Sequence, residues 1–168
     1  PKLAMISHKA LLNHAKSYLS ADPKNSTDEY VSVLPMPWIM EQTYALAEWC
    51  ISRMKVNFVE EAETLFEDLR EIGPTFILFG PRVWEQMAAD IRSKVMDSSF
   101  IKRGIYGLSM KLMSLKSNYL IKLLCEFLVN RWLRDQLGLS FVKSAATGGA
   151  ALGPDTFKFF VNIFEPSN

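Results

Sequence analysis

The residues best suited to chemistry lie in 141–154, FVKSAATGGAALGP, where an apolar run breaks into two glycines before an apolar segment led by Asp and Thr. This order predicts a strand, a tight turn and a helix. Because Gly148 and Gly149 lack a Cβ, the main chain there can adopt positive φ, and a flat ligand can approach it closely. Ligands of open parallel sheets bind beyond the carboxyl ends of the strands, where such a turn would lie. An ordinary glycine-rich connection is the alternative interpretation.

Histidine and cysteine residues indicate no other reaction centre. His8 and His14 lie six residues apart on a predicted helix and therefore on different faces, and no carboxylate completes a metal site with them. Cys50 and Cys125 fall in apolar, helix-like segments with no nearby cation to lower a thiol pKa. We expect free thiols, no disulfide and a reducing compartment.

Composition limits the class of protein. The chain has 168 residues, 49% of them hydrophobic, which is enough for about one domain with a sizeable core. Its net charge of +1 argues against nucleic acid as a partner. The most apolar stretch, 119–129, is interrupted by Lys122 and Glu126 and cannot span a bilayer. We expect a cytoplasmic protein, peripheral to a membrane at most.

Apolar patterning predicts how the glycine turn is supported. Short apolar runs predict strands, amphipathic stripes predict helices, and the two alternate along the chain. The predicted strands are 31–34, 56–59, 75–79 and 141–146, and the predicted helices between or before them are 8–19, 39–54, 62–72 and 81–95. Helix 39–54 is apolar almost all round and is expected to be buried. The fold class is therefore α/β, with a layered, mostly parallel sheet of about four strands flanked by helices.

A helical insertion of about 98–136 is expected before the last strand. From Ser99 to Arg134 it carries seven basic residues and one acidic residue, a local charge of +6, whereas the whole chain carries +1. Basic amphipathic helices can lie on an anionic lipid surface, which predicts peripheral membrane contact through 99–134. The alternative is a basic face that is simply solvated.

Four motifs, in order along the chain, carry a family resemblance. Residues 147–152, TGGAAL, resemble the S-G-G-A-P-L element of the AMP-forming acyl-CoA synthetases, the adenylate-forming superfamily. Residues 1–8, PKLAMISH, resemble the end of that family's phosphate loop and the segment after it, and 34–41, LPMPWIME, resemble the L-P-L-x-H-x-x-E motif of its long-chain fatty acid members. The ETL, IGPT and PRVWE stretches within 63–85 resemble a further run of those members. The chain thus resembles a central fragment of the N-terminal AMP-binding domain of a long-chain fatty acid–CoA ligase, over 1–168.

The resemblance implies a two-step reaction. A fatty carboxylate attacks the α-phosphate of ATP to give acyl-AMP and pyrophosphate, and coenzyme A then takes the acyl group. Chemistry of this kind depends on positioning and charge neutralisation, so no nucleophilic triad is needed. ATP or AMP, coenzyme A and Mg²⁺ are the implied cofactors, and the family's main metal-associated residue is expected outside this fragment.

The resemblance also implies roles for particular residues. Gly148, Gly149, Ala150 and Ala151 match positions that run along the adenine and ribose. Lys2 matches the last lysine of the phosphate loop, although any surface lysine would look the same. Trp38 stands where many relatives have histidine and is expected to bind substrate by walling or gating the acyl channel. A plain core tryptophan is the alternative.

As a fragment, the isolated chain is expected to be inactive, and truncation is expected to leave unpaired sheet edges that promote self-association. Two alternatives for function stay open. One is an adenylating relative that uses an aryl or medium-chain acid. The other is a non-catalytic α/β module that binds a membrane or a protein partner.

Overall fold

The computed structural model describes residues 4–114 and 129–164. Contacts between Cα atoms divide the chain into two compact units. The first comprises Pro1–Leu78 and Phe141–Ala146, and the second comprises Phe79–Ser140 and Thr147–Asn168. The chain crosses from the first unit to the second twice, after Leu78 and after Ala146.

Helices and short strands alternate along most of the described chain. In order they are α1 (His8–Ala21), β1 (Glu29–Ser32), α2 (Ile39–Glu41), a π-helix (Gln42–Glu48), α3 (Trp49–Ser52), β2 (Lys55–Phe58), α4 (Leu65–Ile72), β3 (Phe76–Phe79), α5 (Pro81–Met96), α6 (Phe100–Ser114), α7 (Arg131–Gln136), β4 (Ser144–Thr147) and α8 (Pro154–Phe164). Local signals explain several ends. Ser7 caps α1 by accepting a hydrogen bond from the Ala10 N–H at 3.2 Å, and Pro81 opens α5.

The four strands form one parallel sheet in the order β2-β1-β3-β4, which confirms the predicted α/β class. Glu29 pairs with Lys55 and Tyr30 with Phe76, so β1 lies between β2 and β3. The observed strands differ from the predicted ones by one to three residues at their ends. The chain runs outward from β1 to β2 and then returns across the sheet to β3, and such a reversal marks where parallel sheets usually bind ligands.

Aromatic rings from three elements fill the core of the first unit. Tyr30 of β1, Tyr44 of the π-helix and Phe76 of β3 are buried, with ring centroids 5.0 Å apart for Tyr44 and Phe76 and 5.4 Å apart for Tyr30 and Phe76. Aromatic pairs at this separation contribute about 0.5–1.5 kcal/mol beyond their buried area. This cluster fixes the π-helix against the sheet.

The segment 39–54 is helical over 39–52, but it is not the continuous α-helix, buried all round, that its apolar composition predicts. A seven-residue π-helix lies within it, and Leu46, Trp49 and Cys50 on one side are exposed. Two acidic side chains, Glu41 and Glu48, are fully buried instead. The prediction was wrong because a count of apolar residues does not say which face a helix turns inward.

The second unit has its own aromatic core. Trp84 of α5 packs against Phe79 and Phe160, with ring centroids 5.3 and 4.7 Å away. The predicted inner stripe of α5 is confirmed at Trp84, Met87 and Ile91, all of which are buried. Helix α8 contributes Phe160 and Ile163, so the end of the described chain is packed rather than frayed.

The predicted helical insertion is seen in part. Helices α6 and α7 lie within 98–136, while residues 115–128 are outside the described residues. Of the helices that the structure describes, none combines the length and the apolarity needed to cross a bilayer.

Candidate functional site

The glycine turn has the predicted strand, turn and helix. β4 ends at Thr147, residues 148–153 form the connection, and α8 begins at Pro154. Gly149 has φ = 88°, a conformation that residues with a Cβ rarely adopt. Gly149, Ala150 and Ala151 are exposed, and Gly148 is half-buried. The tip of the turn therefore presents main chain and methyl-sized side chains to solvent, which suits the approach of a flat ligand.

The start of β4 is held by its backbone and by two side chains. The Lys143 N–H donates to the Thr75 carbonyl oxygen at 2.8 Å, and the Ser144 N–H donates to the same oxygen at 3.4 Å. The Lys143 ammonium binds the Asp28 carboxylate at 2.7 Å, and the Ser144 hydroxyl donates to the Asp22 carboxylate at 2.7 Å. The strand is thereby connected to the segment between α1 and β1, more than 100 residues earlier in the chain.

Asp28 collects three hydrogen bonds on a buried carboxylate. Lys143 donates at 2.7 Å, the Asn25 N–H at 2.9 Å and the Thr75 hydroxyl at 3.0 Å. Burial alone raises the pKa of Asp28, but the bonds from Lys143, Asn25 and Thr75 together hold it below its usual value. Asp28 is therefore ionised at neutral pH and joins the chain segments that flank β4 and β3.

A second charged group lies deeper in the first unit. The Lys24 ammonium lies 2.9 Å from the Asp22 carboxylate and 3.4 Å from the Glu48 carboxylate. It also lies 4.2 Å from the centroid of the Phe76 ring, a cation–π geometry. Burial raises the pKa of Glu48 to about 7, against the opposing attraction of Lys24. Its charge state is therefore balanced near neutral pH.

Glu41 has a structural partner. The Tyr30 hydroxyl donates to its carboxylate at 2.8 Å, and both side chains are buried. Burial, and then the adjacent Glu41 charge, raise the pKa of Tyr30, so the phenol keeps its proton. Glu41 thus fixes the segment after Trp38 against β1.

Trp38 and Lys2 are the other predicted site residues, and Arg82 belongs to the PRVWE stretch of the family resemblance. Trp38 precedes α2 in the loop after β1, and 51% of it is exposed in this chain. Arg82 is exposed at the start of α5. Lys2 lies outside the described residues. The loops that carry Trp38, Arg82 and the glycine turn each follow the carboxyl end of a strand of the parallel sheet.

Sequence reasoning missed the charged groups that hold β4. Asp22, Asp28 and Lys24 lie in a stretch that reads as a polar turn, and their partners Lys143 and Ser144 lie 115 and 122 residues away from Asp28 and Asp22. No local spacing connects such residues. Among the described residues, no three His, Cys, Asp or Glu side chains gather into a metal-ligand set.

A comparison with protein families shows which family the chain belongs to. The family model described as AMP-binding enzyme matches residues 1–167, which include the whole turn and the loop of Trp38. The chain belongs to the AMP-binding enzyme family. The description of the family names AMP as the nucleotide that its members bind.

Curated relatives in this family carry fatty acid ligase names. The chain is 26% identical to the chicken long-chain-fatty-acid–CoA ligase ACSBG2 over 99% of its own length and 24% of the relative. It is 30% identical to the rat long-chain-fatty-acid–CoA ligase ACSBG1 over 79% of its length and 20% of the relative. A putative fatty-acid–CoA ligase, fadD11 of Mycobacterium tuberculosis, is 27% identical over 83% of the chain and 27% of the relative. The chain thus spans about a quarter of the length of these AMP-binding relatives. No solved structure gives a significant match.

Proposed function

We propose that this chain is the nucleotide-binding segment of an ATP-dependent ligase that activates a long-chain fatty acid and transfers it to coenzyme A. The observation that carries the proposal is the exposed turn after β4, in which Gly149 has positive φ, within a chain of the AMP-binding family. The ligase names of the relatives supply the acid and the acceptor.

In this proposal the chain's own residues bind and orient substrates. The main chain of 148–151 supports the purine and ribose, with no Cβ at Gly149 to hold the ring away. A carboxylate oxygen of the fatty acid attacks the α-phosphorus, the bond to pyrophosphate breaks, and acyl-AMP forms. The coenzyme A sulfur then attacks the acyl carbon, AMP leaves, and the thiol proton is lost. Mg²⁺ would supply charge neutralisation on the phosphates.

Trp38 is assigned to the acyl chain and Lys2 to the phosphates. Half of the Trp38 indole is exposed in the loop after β1, so its apolar surface is available to a substrate or to another part of the polypeptide. Because the chain spans about a quarter of its relatives, we propose that it has no turnover when isolated.

The test is ATP–pyrophosphate exchange by the full-length protein that carries this sequence, with palmitate, octanoate or benzoate as the acid. Exchange with palmitate at the highest kcat/KM is expected. Exchange that depends on octanoate or benzoate alone would replace the long-chain acid with one of the alternative acids. No exchange with any acid, in a protein shown to be folded, would favour a non-catalytic module.

A second proposal concerns the membrane. Phe100 and Leu108 of α6 and Trp132 of α7 are 82%, 59% and 51% exposed, within a segment of local charge +6. Exposed apolar side chains among lysines and arginines suit the interface of an anionic bilayer. We propose that the protein is cytoplasmic and binds membranes peripherally through 99–134.

Vesicle flotation tests this surface. Wild-type protein should float with vesicles containing phosphatidylserine, and less so at high salt or with phosphatidylcholine alone. Phe100→Ser combined with Leu108→Ser should weaken flotation, whereas Phe157→Ser, at an exposed phenylalanine of α8, should not. Equal flotation of all three proteins would contradict the assignment.

Self-association of the isolated chain is a third proposal. Within the described residues β2 is an edge of the sheet, and its last residue, Phe58, is exposed. Unpaired edges with exposed aromatic residues favour pairing between copies. Sedimentation of the isolated chain at increasing concentration should show dimers or larger species, and a monomer throughout would contradict the proposal.

A further inference from the structure

Lys24 is a buried cation whose contacts reach the strand before the glycine turn. Its side chain is 4% exposed, and the Glu48 side chain beside it is fully buried. The Asp22 carboxylate oxygen that accepts from Lys24 at 2.9 Å also accepts from the Ser144 hydroxyl at 2.7 Å. One oxygen is therefore shared between the buried lysine and the first residue of β4.

A role in stability alone explains this group poorly. Taking a lysine and a glutamate out of water costs several kcal/mol per ion. The attraction between the two charges offsets this cost only when their geometry is excellent. Within the described chain neither Glu48 oxygen has a hydrogen-bond partner, and its contact to Lys24 is 3.4 Å long. Apolar side chains of similar volume would stabilise such a site as well. What the Lys24 ammonium adds is a directional hydrogen bond that constrains the orientation of the Asp22 carboxylate.

The constraint acts at the start of β4. The Lys143 and Ser144 N–H groups share one acceptor, the Thr75 carbonyl oxygen, and the second bond is long at 3.4 Å. The two side-chain contacts, Ser144 to Asp22 and Lys143 to Asp28, add separate attachments at the first residue of the strand and at the residue before it. β4 is four residues long, and the turn follows Thr147 directly.

We propose that Lys24 is a positioning residue for the nucleotide turn, acting through Asp22 on Ser144 and so on the position of β4. The proposal rests on the proposed function. Lys24 holds the Asp22 carboxylate in the orientation that receives the Ser144 hydroxyl. Loss of the Lys24, Asp22 or Ser144 side chain loosens the turn and weakens nucleotide binding, while fatty acid binding is unchanged.

Two measurements on the full-length protein test this. The first is hydrogen exchange of the amides of 144–149. The second is the KM for ATP and for palmitate in pyrophosphate exchange. The variants are Ser144→Ala, Asp22→Ala, their double variant and Lys24→Met, with Ser144→Thr as the variant that keeps the hydroxyl. Lys55→Met is the matched control, since Lys55 pairs with Glu29 at 2.9 Å but its side chain is 63% exposed.

Ser144→Ala and Asp22→Ala should each raise the KM for ATP about fivefold and leave that for palmitate unchanged, since each removes the hydrogen bond between Ser144 and Asp22, worth roughly 1 kcal/mol. The double variant should be no worse than Asp22→Ala alone, because both single variants break this contact. Lys24→Met should raise the KM for ATP in the same way. Amide exchange at 144–149 should speed up in all four variants, and Ser144→Thr and Lys55→Met should match wild type.

The outcomes that overturn the proposal differ from those that overturn the function. Equal rises in both KM values, or additive effects in the double variant, would show general destabilisation instead of positioning. Faster amide exchange with an unchanged KM for ATP would show that the contact does not serve the turn. If wild type shows no pyrophosphate exchange, the proposed function fails. Amide exchange then still decides whether Lys24 and Asp22 hold β4: unchanged rates in the variants would overturn the contact itself.

Discussion

The Lys24 ammonium lies 3.4 Å from the Glu48 carboxylate, and both side chains are almost completely removed from water, with 4% and 0% exposed. A charge pair in this position has given up its hydration, so the two partners depend on each other more than a surface pair does. Lys55 and Glu29, 2.9 Å apart across β1 and β2, provide the comparison within the same unit, because the Lys55 side chain remains 63% exposed.

Replacement of Lys24 by methionine should lower the free energy of unfolding by roughly 3–5 kcal/mol at pH 8, the range for removing one partner of a buried pair. Lys55→Met should lower it by less than about 1 kcal/mol, as for exposed pairs. Urea unfolding of both variants measures the difference. Similar losses at the two sites would show that Lys24 is not a buried charge in solution.

Glu48 should make stability fall between pH 5 and pH 8. Burial raises its pKa in the folded state to about 7, whereas the ordinary value is 4.5. The folded state therefore holds the proton more tightly, and the stabilisation is complete below pH 4.5 and is lost as the pH rises through 7. The loss should amount to roughly 3 kcal/mol, since one pKa unit corresponds to about 1.4 kcal/mol.

Glu48→Gln provides the check, because the amide does not titrate. Urea unfolding at pH 5 and pH 8 should give a smaller difference in this variant than in wild type. Asp28 and Glu29 have lowered pKa values, so the stability that they provide is present at higher pH and is lost only as the pH falls below the usual carboxylate range. They do not contribute to the change between pH 5 and pH 8. An identical slope in the variant would contradict the buried Glu48.

Gly149→Val should reduce ATP affinity about tenfold, the equivalent of 1.4 kcal/mol. A branched side chain disfavours φ = 88° and adds a Cβ where the purine is proposed to lie. Gly80→Ala is the control, because Gly80 has φ = −68° and a Cβ there would meet no atom within 4 Å. Calorimetric titration with ATP compares the two variants. Unchanged affinity in Gly149→Val would remove the turn from the nucleotide site.

Gly73→Ala should destabilise the fold by about 1 kcal/mol, since Gly73 ends α4 with φ = 63°. A Cβ at this position would lie 2.8 Å from a ring carbon of Phe141. The Phe141 side chain is exposed and can rotate away, so the steric part should be small. Thermal unfolding should show the same loss of stability in two comparisons. One compares Gly73→Ala with wild type, and the other compares the double variant Gly73→Ala, Phe141→Ala with Phe141→Ala alone. A loss that disappears without the ring would show that the contact, rather than the backbone, sets the cost.

Local patterns predicted much of this fold because they reflect short-range physics. Pro81 at the start of α5, Ser7 before α1 and the glycines after β4 act on neighbouring backbone groups, and Gly149 has the positive φ that the sequence predicts for this turn. The continuous apolar run 75–79 similarly predicted the fully buried strand β3. The family resemblance was confirmed as well, since motif order is a property of the sequence itself.

The segment 39–52 shows where local patterns stop. Its composition predicted a buried α-helix, but the packed face includes Glu41 and Glu48, and Trp49 is exposed. The choice of face depends on Tyr30 and Lys24, which come from other elements and receive the two carboxylates. Nothing within 39–52 encodes the position of those partners.

The sequence by itself determined the order of strands and helices, the family and the position of the glycine turn, because each depends on residues that are close together in the chain. Tertiary structure alone decided how the turn is held. Ser144 meets Asp22 across 122 residues, and Lys143 meets Asp28 across 115. Such contacts exist only once the sheet has brought β4 beside β3, since the free energy of a buried charge depends on what surrounds it in space and not on its neighbours in sequence.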